Sequence, residues 1–146
     1  MPCIIVQPPG AAFQPSGMIL SAAFTPTLVN NYTTIPNWTA DAAYPGSTIS
    51  SDGLVAQGTK AGATIAASCL VANSYFLSAY SCTLRLLVNG ATAVTGSATS
   101  IPASGTGTAT ASITYDIAAG DVLTVQVSIT NNQLAVQPTS SWARIT

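Results

Sequence analysis

Between Thr108 and Thr130 the chain alternates apolar and polar residues in two runs. Ala109, Ala111, Ile113 and Tyr115 alternate with Thr108, Thr110, Ser112 and Thr114. Beyond Ala118-Ala119-Gly120-Asp121, Leu123, Val125, Val127 and Ile129 alternate with Thr124, Gln126, Ser128 and Thr130. Successive side chains of a strand point to opposite faces, so each run predicts a strand with one apolar face and one face of hydroxyls and amides. Two arrangements fit: a half-buried hairpin, or consecutive strands in different sheets with Gly120-Asp121 at the corner.

The same patterning places further strands. Met18 to Phe24 is the first strand of the domain proper, stopped by Pro26, and residues 30–43 hold two short strands across Pro36-Asn37. Residues 44–53 predict a loop, 54–57 a short strand and 58–62 a turn. Thr64 to Val71 then puts Ile65, Ala67, Cys69 and Val71 on one face. Thr83 to Val88 runs into Asn89-Gly90, the strongest short hairpin signal because both turn positions need positive φ, and Ala91 to Thr95 is the return strand. Residues 96–107 predict a polar loop around Pro102, and Ser141 to Thr146 a last strand. About ten short strands at regular spacing, with no 3.6-residue period long enough for a helix, predict an all-β, ten-stranded antiparallel sandwich or jelly roll.

Residues 1–17 precede it. Pro2, Pro8, Pro9 and Pro15 remove backbone donors, so this stretch predicts an extended N-terminal arm without a central strand, and residues 18–146 form the sandwich domain. Ile4, Ile5 and Val6 make an apolar cluster in the arm that is costly to leave in water. They pack either on their own domain or on a neighbouring subunit.

Composition changes the picture in one respect. Charged residues are only 5% of the 146, against a usual share of about a quarter, while hydrophobic residues are 48%. Disorder is excluded by the apolar content, and no run approaches the ~20 apolar residues of a membrane span. With three basic residues and a net charge of −1, nothing in the chain neutralises a phosphate backbone, so neither nucleic acid nor membrane is an expected partner. So little charge also gives little repulsion between copies, which suits a subunit that assembles with itself.

Chemistry is sparse. The chain has no His and no Glu, which removes the commonest general base and paired-carboxylate catalysis. Asp116 and Asp121 flank the central turn, where Asp bonds nearby amides; a calcium site there is the weaker reading, and no cofactor is expected. Cys3, Cys69 and Cys82 lack metal-ligand spacing in a chain with no secretory leader as it stands; Cys69 and Cys82 read as buried small apolar groups, and Cys3 joins the apolar cluster of the arm. The two glycosylation sequons at Asn31 and Asn37 are then chance matches. Residues 73–80 gather three of the eight Phe and Tyr residues, Tyr75, Phe76 and Tyr80. They either plug one end of the sandwich or form an interface or ligand patch.

The order of these elements resembles the tumour necrosis factor and complement C1q-like jelly roll. The resemblance rests on D-G-L-V before a turn, A-G-A-T-I-A-A-S, T-L-R-L-L-V-N-G, I-T-Y-D-I-A-A-G-D-V-L-T-V-Q-V and a final aromatic strand, across residues 18–146. The chain departs from that family in having Thr64, Ile65, Ala66 and Ala67 where aromatics are usual, and in lacking a collagen-like Gly repeat before the domain. Domains of this kind also look like those of bacteriophage virions, which are often Ala/Thr-rich and poor in charge. The resemblance implies a homotrimer with apolar flanks buried between protomers. It also places Cys69 and Cys82 on opposing sheets, where they could approach and oxidise.

The expected function is therefore a non-enzymatic virion protein. In this reading it is a trimeric capsid decoration protein, assembled in the host cytoplasm and contacting the major capsid protein or other virion proteins. The alternative is a minor tail or tail-tip adhesin that binds host carbohydrate. Candidate contact residues are Ile4, Ile5, Val6, Trp38, Tyr75, Phe76 and Tyr80.

Overall fold

Twelve strands and no helix are formed in the computed structural model, which describes residues 12–146. They are β1 (Ser16–Leu20), β2 (Thr33–Thr34), β3 (Trp38–Ala40), β4 (Thr48–Ser50), β5 (Gly53–Val55) and β6 (Lys60–Asn73). After these come β7 (Tyr80–Val88), β8 (Ala91–Thr95), β9 (Thr99–Ile101), β10 (Thr106–Ile117), β11 (Val122–Ile129) and β12 (Leu134–Ile145). One sheet has the order β10-β6-β12-β1-β3; the other has the order β4-β5-β11-β7-β8, with β2 beside β11 and β9 beside β7. All pairings are antiparallel.

The two alternating runs are β10 and β11, and they lie in different sheets. The chain changes sheet at Ala118–Asp121, where Gly120 takes φ 86° and Asp121 accepts the Ala118 amide through Oδ2. Inward positions of β11 and β7 supply large side chains, Leu123, Val125, Leu84 and Leu86. Facing them are small ones from the five-stranded sheet: Ala67, Cys69, Ala109, Ala111 and Ala143. Large against small lets the layers interdigitate, and each fully buried Leu or Ile contributes about 1.5–3 kcal/mol.

Several elements differ from expectation. The domain begins before residue 18: Ser16 pairs with Ile145, and Gln14 bridges Gln57. Pro15 allows this because a Pro just before a strand removes no ladder bond. β4 and β9 lie inside the stretches 44–53 and 96–107 that read as loops, since strands of three residues are too short to show a period. β6 begins at Lys60, within the expected turn, with Gly62 at φ 65°. β12 starts at Leu134 and passes Pro138 by a bulge between Gln137 and Trp142. There Ser140 takes φ 61°, and Ser141 Oγ donates to the Gln137 carbonyl and accepts the Leu70 amide, replacing ladder bonds that Pro138 interrupts.

The sandwich has two unlike ends. Residues 12–14, the Asn89–Gly90 hairpin, the Ala118–Asp121 corner and Thr146 share one, the arm end. Loops 21–32, 74–79, 102–105 and 130–133 share the other, the loop end.

Candidate functional site

Two surfaces are built by this frame. The first is the outer face of the five-stranded sheet. Register sets its rows: Thr110, Ser68, Trp142, Ile19 and Thr39 lie across all five strands. A neighbouring row is Ser112, Ala66, Arg144 and Gly17; on the other side lie Thr108, Leu70 and Gln137. Small hydroxyl and methyl side chains make this face smooth, and Ile19 is 41% exposed on it.

The one charge in these rows is partly covered, the Arg144 side chain staying 34% exposed, and Asp116 stands exposed on the same side further along β10. The Arg144 guanidinium lies 4.2 Å from the Trp142 ring centre and 5.3 Å from that of Tyr44, and pairs with Asp41 at 3.7 Å. Tyr44 in turn rests on Gly17, where a Cβ would meet the ring at 2.6 Å. Stacking disperses the guanidinium charge over two aromatic faces.

The second surface is the loop end. Asn73, buried at the end of β6, fixes it: its Nδ2 donates to the carbonyls of Ser78 (3.0 Å), Ile101 (3.3 Å) and Pro102 (3.2 Å), and its Oδ1 accepts the Tyr75 amide (2.9 Å). Ser74 donates to Gln133 Oε1, and the Ser104 amide donates to the Tyr75 carbonyl, so loops 74–79, 102–105 and 130–133 are bonded together. Tyr75 lies 5.8 Å from Phe76 and 5.6 Å from Tyr80, in tilted contact. Phe76 is 71% exposed and Leu77 66%. Tyr75 and Tyr80 are half-buried, so they close the sandwich end while Phe76 stands off it.

The expected contact residues therefore separate. Tyr75, Phe76 and Tyr80 come together. Trp38 does not join them and is a core residue, 6% exposed, with its indole N–H donated to the Ile35 carbonyl at 2.8 Å. That corrects its expected place on the surface; a Trp in a short strand between polar Asn37 and Thr39 gives no sign of which way it faces. Ile4, Ile5 and Val6 lie outside the described residues. Missed in the sequence were Asn73, whose polarity reads as loop punctuation, and the exposed pair Leu28 and Val29 in loop 21–32.

The remaining chemistry is occupied by structure. Asp116 Oδ1 accepts the Gly62 amide at 2.7 Å, Asp121 Oδ1 accepts from Asn89 Nδ2, and Asp41 Oδ1 accepts the Ala43 amide. Among the described residues no group of three or more acidic, His or Cys side chains is placed to hold a metal ion. A cleft of about 720 Å³ at the arm end is lined by Phe13, Val55, Ala56, Gln57 and Gly58 among others, none of them titratable.

Cys69 and Cys82 lie on opposing sheets as buried free thiols. Burial, and then the neighbouring Cys82, push the Cys69 thiol from 9.0 to about 12, against a partial offset from Ser141; burial pushes Cys82 to about 11. Both thiols stay protonated at neutral pH, which suppresses their nucleophilicity. As pH rises past 9.0 the unfolded chain loses these protons first, so their contribution to stability is full below that pH and is lost toward about 12. The urea midpoint should therefore fall through this window, and fall less in a Cys69→Ala/Cys82→Ala variant; equal slopes would refute the assignment.

The two sheets, with these orders, form a jelly roll of the tumour necrosis factor type. By sequence the chain matches no protein-family model and no curated protein. Among solved structures it is similar to the Eiger tumour necrosis factor from S. frugiperda, with a TM-score of 0.62 and 13% identity over 91% of this chain and 90% of that one. It is also similar to murine APRIL in its pH 5.0 crystal structure, with a TM-score of 0.62 and 13% identity over 92% of this chain and 98% of that one. At this identity the likeness carries the fold.

Proposed function

We propose that the protein is a non-enzymatic structural subunit that assembles as a homotrimer on a bacteriophage particle, as a head-decoration protein. The observation that carries the assembly is the outer face of the five-stranded sheet, where rows of Thr, Ser and Ala surround Trp142, Ile19 and Leu70, and the one charge in those rows, Arg144, stacks on Trp142 and pairs with Asp41. Rows so poor in charge lose little hydration on contact with a copy of themselves, and depletion of charge with enrichment of aromatics marks interface cores. The non-enzymatic reading is supported by the lack of His and Glu and by the amide bonds of Asp41, Asp116 and Asp121. The phage setting is supported by the Ala/Thr-rich, charge-poor composition, and residues 1–11 are the proposed attachment to the particle.

A decisive experiment measures the solution mass by light scattering, with and without residues 1–11, and then addition to purified particles. The expected result is a trimer in both forms, with addition to particles lost on truncation. A monomeric full-length protein that never adds to particles overturns the proposal.

A further inference from the structure

Every charged side chain of the protein lies away from the loop end. Lys60, Asp116 and Asp121 are at the arm end; Arg85 is held by Gln126 at mid-sheet beneath Tyr32; Arg144 and Asp41 pair beside Gly17; Asp52 sits in the β4–β5 turn. Loops 21–32, 74–79, 102–105 and 130–133 contain none. On that uncharged end stand Phe76 and Leu77, the two most exposed large apolar side chains among the described residues. We infer that the loop end is a binding surface for neutral carbohydrate, with Phe76 and Tyr75 as its stacking platform.

Four observations favour that ligand. The platform is rigid, because Asn73 ties its loop to three carbonyls and one amide, and Ser74 ties it to Gln133; a preformed site avoids the ordering cost of binding. The same end of the sandwich carries exposed amides and hydroxyls, including Asn132, Gln133 and Ser78. A sugar presents an apolar C–H face and a hydroxyl edge, and an aromatic ring flanked by amide donors and acceptors complements both. Third, the end offers no cation for a phosphate, sulfate, uronic acid or nucleic acid, and no basic residue to attract an anionic membrane. Tilted contacts of 44° and 35° between the rings make a stepped surface, which suits a chain of sugars better than a flat apolar partner.

The inference does not depend on trimer formation, because every residue it uses lies in one protomer. Its test is an array of neutral and anionic oligosaccharides probed with the full chain at low and high salt, alongside flotation with phosphatidylcholine vesicles. Binding to one or more neutral glycans is expected, unchanged by salt. Phe76→Ser should weaken it about tenfold or more, with the thermal midpoint unaltered because that ring is exposed. Asn73→Asp, which keeps the acceptor for the Tyr75 amide and loses the three donated bonds, should weaken binding together with protection of the 74–79 amides from exchange. Binding confined to anionic glycans, vesicle binding that depends on Phe76, no binding at all, or binding indifferent to Phe76→Ser would each overturn the inference.

Discussion

Ser68→Glu should convert the proposed trimer to monomers while leaving the sandwich intact. Ser68 sits at the centre of the five-stranded face, between Thr110 and Trp142. In an isolated protomer the new carboxylate points to water and costs little, so circular dichroism and the melting temperature of the monomer are expected to match the parent domain. In a trimer built on this face the carboxylate is buried without a cation, since Arg144 is already committed to Asp41. An unpaired buried charge costs several kcal/mol, and threefold symmetry repeats it at every contact. Trimer affinity should fall by more than about a thousandfold. Light scattering across a dilution series reads this directly, and a Ser68→Glu protein that remains trimeric moves the interface off this face.

Gly96→Ala should be the most damaging small substitution in the chain. Gly96 lies between β8 and β9, its amide donated to the Leu84 carbonyl at 2.8 Å. A Cβ there would stand 2.1 Å from the Thr110 carbonyl oxygen and 3.3 Å from Ala111 Cβ. Thr110 belongs to β10 in the other sheet, so at this point the backbone of one layer rests on the backbone of the other. No rotamer relieves a clash between main chains; the sheet edges must part. Overpacking of this kind costs about 3 kcal/mol, and for a domain of this size that lowers the melting temperature by roughly 10 °C. Gly46→Ala is the control: φ is 85° but nothing lies within 4 Å, so only the left-handed backbone is penalised, at about 1 kcal/mol. A Gly96→Ala protein as stable as Gly46→Ala would contradict the close approach.

How far the fold was legible depended on whether local chemistry decided it. Asn89-Gly90 marked its hairpin because both residues adopt positive φ, 49° and 81°, and β8 runs over the residues expected. β6, β10 and β11 were legible because eight or more residues alternate against one apolar core. β12 was only half visible: Pro138 and the Ser140–Ser141 bulge break its alternation, and its continuity comes from the Ser141 side chain standing in for the ladder. β4 and β9 exist through tertiary pairing alone, which a window of three residues does not carry.

For the site, the aromatic cluster of residues 73–80 was visible as composition. Which member is exposed was not, because that follows from the carbonyls that Asn73 gathers from loop 102–105 and beyond. The smooth sheet face was equally hidden. It exists only when register aligns Thr110, Ser68, Trp142 and Ile19 from four separate parts of the chain.

The pairing of Ser16 with Ile145 bears on how the molecule carries load. β1 and β12 are antiparallel neighbours, so a force applied between residue 16 and residue 145 opens their hydrogen bonds one at a time, like a zip. A pull between the arm end and the loop end is different. It runs along the strands, and the bonds joining β1 to both β12 and β3 must then fail together in shear. Hydrogen-bond geometry alone therefore makes the sheet resist a force along its strands better than one that parts residues 16 and 145.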